Sequence, residues 1–80
     1  MDIRNKAAQA RNLLADPVFR DAIDGLREDQ VKVFVGHGPV EAVTEARHIM
    51  WSLDALEARL SSFIDDGMVF DRRQTKVAPQ

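Results

Sequence analysis

Gly36-His37-Gly38-Pro39 is the stretch whose residue types could do chemistry. A histidine between two glycines could be a general base in a tight turn, a corner of a metal site or part of a phosphate cradle. Each use needs company at a set spacing. A phosphate loop of the Walker type needs GxxxxGK[ST] and a dinucleotide loop needs GxGxxG after a strand. "GHGPVE" supplies neither, and Glu41 would repel phosphate. A nucleophile–histidine pair needs an activated hydroxyl or thiol with an orienting acid. The serines are Ser52, Ser61 and Ser62, none of them in an elbow motif. His48 lies eleven residues beyond His37, without HxxxH or HExxH spacing, and there are no cysteines, so no metal centre is expected. Asp65-Asp66 stand before Gly67, but "DDGMVFDRR" has too few oxygen ligands at alternating positions for a calcium loop. The reading is therefore not an enzyme, with no cofactor and no small-molecule substrate. The two glycines are expected to take positive φ at an inter-helix turn.

The elements that must position these residues are helices. Asp2 can cap a first helix in which Ile3, Ala7, Ala10, Leu13 and Leu14 recur at helical spacing, with Asp2 and Lys6 placed i,i+4. Asp16-Pro17 then reads as an N-cap followed by a first-turn proline, where the missing N–H is no loss. Val18, Phe19, Ala22, Ile23 and Leu26 continue a second apolar stripe, with Asp16/Arg20 and Glu28/Lys32 at i,i+4. Val31, Val33 and Val35 alternate like a strand, but a lone strand could not satisfy its backbone, so helix is expected to about Val35. After Pro39, taken as the first helical residue, Ala42, Ala46, Ile49, Leu53, Leu56, Leu60 and Phe63 follow a strict 4-3 alternation, a heptad seam. This third helix is expected to stop at Asp65-Asp66-Gly67, after about 27 residues or roughly 40 Å. The acid pair would then sit at a helix C-terminus, where the macrodipole disfavours it. The fold class is all-α: a helical hairpin or three-helix arrangement with a long heptad-patterned C-terminal helix. Residues 1–70 form the domain and 71–80 a short, polar, flexible tail.

Eighty residues make one domain of marginal stability unless a partner or very regular packing helps. The net charge is −2, unevenly spread. Residues 36–71 carry seven acids against Arg47 and Arg59, and the last nine residues hold Arg72, Arg73 and Lys76 with no acid. No basic stripe suggests direct nucleic-acid binding, and no apolar run suggests a membrane span or signal peptide.

Trp51 lies about 200° around the helix from Ile49, off the seam, on the side where Val40, Thr44, Ala55, Ala58 and Ser62 also run. Small residues around one large ring suit the close approach of another helix. Trp51, Thr44, Ala55 and Ala58 are the expected partner contacts, with Asp65 and Asp66 as an acidic contact to a basic partner. The alternative is a tryptophan covered by the first two helices.

Leu13-Leu14-Ala15-Asp16-Pro17-Val18-Phe19, followed by Glu45, Arg47, Trp51, Leu53, Leu56, Leu60 and Gly67, resembles a group of short helical proteins encoded among the head-assembly and DNA-packaging genes of tailed bacteriophages and prophages. The likeness spans roughly residues 7–67 and departs from the pattern at the apolar "VKVFVGHG", where a polar turn belongs. It implies a virion or packaging component, located in the virion or the host cytoplasm, that binds itself or other virion proteins. The alternative function is a small acidic regulator occupying a basic, nucleic-acid-binding surface of a larger machine, with the acids of 41–71 as its working face.

Overall fold

The computed structural model describes residues 2–77, side chains included as far as Gln74. Three helices follow in order: α1 (Ile3–Ala15), α2 (Pro17–Val35) and α3 (Val40–Val77). Asp16 makes the first break. Its extended backbone ends α1, its carboxylate accepts the Phe19 amide at 2.9 Å, and Pro17 opens α2. Asp2 takes the N-cap position of α1 without a side-chain cap bond. The β-branched run 31–35 is helical, as expected, and α2 ends at Gly36.

α1 and α2 run end to end and antiparallel to α3, which spans the whole molecule. Contacts from Arg4 to Asp71, from Arg20 to Glu57 and from Arg27 to Asp54 set the register of this hairpin. Its seam is formed by residues seven apart. Ala46, Leu53, Leu60 and Gly67 are buried on α3, facing Ala7 and Ala10 on α1 and Ile23 and Gln30 on α2. The Gln30 amide is satisfied within its own helix, donating to the Leu26 carbonyl at 2.9 Å.

Three expectations are corrected. First, α3 does not stop at Gly67 but continues to Val77, 38 residues or about 57 Å long. Residues 71–77 of the expected tail are helical, and 78–80 lie outside the described residues. Gly67 is buried and its φ is not positive. It is the point where α1 crosses closest, since a Cβ there would fall on the Ala7 methyl. The helix is held past it because Phe70 lies beneath the Arg4 guanidinium at 5.3 Å and Asp71 pairs with Arg4 at 2.7 Å. Second, neither Gly36 nor Gly38 has positive φ. Gly36 is extended (φ −82, ψ 171), and nothing stands within 4 Å of a Cβ placed at Gly38. The chain reverses through four residues of extended or bent backbone, and Pro39 stands just before α3, its carbonyl accepting from Ala42 and Val43. Third, side chains of two of the expected i,i+4 pairs turn elsewhere. Asp16 caps α2 while Arg20 reaches Glu57 and Asp24, and Lys6 lies over the Phe63 ring at 4.9 Å.

The hairpin is long and thin, 65 × 22 × 19 Å, with a radius of gyration of 18.0 Å. A compact domain of this length has a radius of about 12 Å. Its accessible surface is 6190 Å², whereas a compact 9.0 kDa protein exposes about 4,900 Å². Two layers of helix leave each helix with one covered face, and large apolar side chains remain exposed on the others.

Candidate functional site

The outer face of α3, opposite the seam, carries most of the residues expected to meet a partner. Thr44, Trp51, Ala58 and Asp65 are seven residues apart and lie in one line along the helix, with Ala55 beside them; all are exposed. Trp51 is 61% exposed, and its ring leans on His48 with centroids 5.6 Å apart and planes at 39°. Neither α1 nor α2 covers it. Asp66 is also exposed but turned one residue around the helix. With α3 continuing to Val77, Asp65 and Asp66 sit some three turns before its end, so the macrodipole cost expected for them does not apply.

His37 is exposed in the linker and His48 is exposed on α3, so the hairpin brings the two histidines into no common site. Among the described residues, no group of three or more His, Asp or Glu side chains is gathered to hold a metal ion. No helix of the described residues is long and apolar enough to cross a membrane.

The structure also assembles features that sequence spacing did not reveal. On one side of the α2–α3 seam, Arg27 donates to Asp54 at 2.8 Å and to Glu57, while Arg20 donates to Glu57 at 3.2 Å. These bridges tie the arms together and absorb two of the acids assigned to an acidic face; the Arg4 bridge takes a third, Asp71. Hydrogen bonds from Arg27 hold the Glu57 carboxyl below its ordinary value of 4.5, against the opposing effect of partial burial, and Arg20 adds to the lowering. Because the folded value lies below the unfolded one, this contribution is complete above about pH 4.5 and is lost as pH falls through the folded value. Stability measured by thermal melting should therefore drop on acidification below 4.5. In Glu57→Gln that part of the drop should be absent, and an unaltered profile would show that the bridge contributes nothing.

On the opposite side of the seam, the α1–α3 groove is open. It holds about 510 Å³ and is lined by Lys6, Ala10, Leu13, Leu60 and Phe63, among others. Leu13, Leu26 and Leu56 stand half out of the seam along this side. Helical periodicity had marked all three as core. Their exposure depends on how many helices share the seam, which periodicity does not report.

No family of known proteins, no curated protein and no solved structure matches the chain.

Proposed function

We propose that the protein is a non-enzymatic assembly element that binds other protein chains, working in a phage-like head or its packaging apparatus. The observation that carries the binding role is the exposed Trp51 ring on the outer face of α3, flanked by Ala55 and Ala58. Tryptophan is the residue most enriched at interface hot spots, and a tryptophan left 61% exposed by the hairpin's own packing is available to a partner. The thin shape supports the same reading, since an elongated hairpin gains stability by covering its apolar faces with other helices. The phage setting is supported by the sequence pattern at residues 7–67. Of the seven acids in 36–71, Asp54, Glu57 and Asp71 are engaged in internal bridges, so apolar contact is favoured here over an acidic docking surface.

The test is binding to the products of the genes that flank its own. Trp51→Ala should keep the parent's helicity and melting temperature yet weaken partner binding by about 2 kcal/mol, close to 30-fold. Binding should persist in about 0.5 M salt, where charge contacts between exposed groups are screened. Binding that Trp51→Ala leaves intact and salt abolishes would replace assembly with the acidic-regulator reading.

A further inference from the structure

The two sides of the hairpin seam differ in chemistry. Residues four after a buried seam position include Arg27 (after Ile23) and Glu57 (after Leu53), which bridge one side with ions. Residues three after include Leu13 (after Ala10), Leu26 (after Ile23) and Leu56 (after Leu53), and in antiparallel helices these fall together on the other side. They are exposed by 40%, 44% and 42%. The Phe63 ring and the open groove of about 510 Å³ continue the same side along α1. One edge is thus laced by ion pairs and the other is an apolar row with its seam half open.

We propose that this apolar edge is closed by a second copy of the chain, the two hairpins packing edge to edge about a two-fold axis into a four-helix bundle. The proposal rests on the assembly reading and names its first partner. Surface area argues for a second copy. Between Lys6 and Leu26 the edge runs about 30 Å, at about 1.5 Å per helical residue, and the hairpin is 22 × 19 Å in section. A strip of that length and about 20 Å width gives on the order of 600 Å² per chain and about 1,200 Å² for two, the lower end of specific interfaces at about 1,200–2,000 Å². An isologous contact also needs no complementary charge, because the same apolar row faces itself across the axis. The outer face carrying Trp51 points away from this edge and stays free for a different chain.

The experiment combines mass with thiol accessibility, which is clean because the sequence contains no cysteine. Light scattering across a concentration series should show the parent at twice 9.0 kDa, falling towards 9.0 kDa on dilution. Leu56→Cys and Leu26→Cys, made one at a time, each place a small apolar thiol on the edge and leave its other leucines in place. Each thiol should react with a small alkylating reagent about tenfold more slowly in the concentrated sample than in the dilute one. Ser61→Cys, exposed elsewhere on α3, should react at the same rate in both. A parent of 9.0 kDa at every concentration overturns the second copy. It leaves the assembly reading standing, since that is decided by the Trp51→Ala binding measurement. A dimer that protects Ser61→Cys and leaves both edge thiols reactive overturns the edge.

Discussion

Leu53→Ala will cost about 2–5 kcal/mol and unfold much of the chain at room temperature, whereas Leu56→Ala will leave most of the helicity in place in dilute solution. The two leucines are three residues apart on one helix, and sequence periodicity treats them as equals. Leu53 is 7% exposed at the centre of the α2–α3 seam; Leu56 is 42% exposed at its edge. Truncating Leu53 removes a buried side chain and leaves a cavity between two helices. The seam has few large groups to spare, since half of its buried apolar residues are alanines: Ala7, Ala10 and Ala46, beside Ile23, Leu53 and Leu60. Against the net stability that one core supplies in a chain this small, rarely more than about 3–5 kcal/mol, such a loss takes most of it. Truncating Leu56 in a lone hairpin forfeits only the half of its surface that is covered, on the order of 1 kcal/mol. Urea melts followed by circular dichroism will separate the two. Equal losses in dilute solution would place the seam elsewhere. A Leu56→Ala cost that grows with protein concentration is the signature of the two-fold bundle.

Gly67→Ala will destabilise the hairpin by about 1–3 kcal/mol, although alanine is the better helix former by about 1 kcal/mol. At an exposed site in the middle of a helix, the same change would stabilise. Here the added methyl meets the Ala7 methyl, which is fixed to its backbone and cannot rotate aside, so α1 must lift from α3. With Ala7 reduced to glycine, the nearest neighbours of the new Cβ are the Ala7 Cα and the Ile3 carbonyl oxygen, each at 3.9 Å, ordinary contact distance. The double variant Ala7→Gly/Gly67→Ala moves one methyl from α1 to α3. It should therefore recover most of what Gly67→Ala loses, the two helix-propensity changes nearly cancelling. Melting temperature reads the outcome at about 4–8 °C for each kcal/mol. A double variant no better than Gly67→Ala alone would show that the methyl contact is not the cause. A Gly67→Ala variant more stable than the parent would show that α1 does not approach α3 there.

Where the stop at Gly67 was expected, the pattern was incomplete rather than absent. Gly67 and Phe70 continue the 4-3 alternation after Phe63, so the seam was legible to Phe70. Reading glycine as a terminator hid this, because a glycine needed for left-handed backbone and one needed for close helix approach look identical in a sequence. The same ambiguity affected Gly36 and Gly38. Neither adopts positive φ, so the reversal between α2 and α3 does not need glycine for left-handed backbone.

The sequence by itself determined the local structure. Helix through 31–35 is expected only because a lone strand would have no partner, since Val31, Val33 and Val35 alternate with the period of a strand. The Asp16-Pro17 break, the heptad seam of α3 and the placing of Trp51 off that seam follow from capping, proline geometry and 3.6-residue periodicity. Each of these acts within a few residues of chain. Only the tertiary structure decided what crosses between helices. It placed Gly67 against Ala7, gave Glu57 to Arg20 and Arg27, and left Leu26 and Leu56 at an edge while burying Ile23 and Leu53. The physical reason is that periodicity specifies which face of a helix is apolar, not how many helices cover it. Two arms packed along a single seam cover the centre of that face and leave one flank in water.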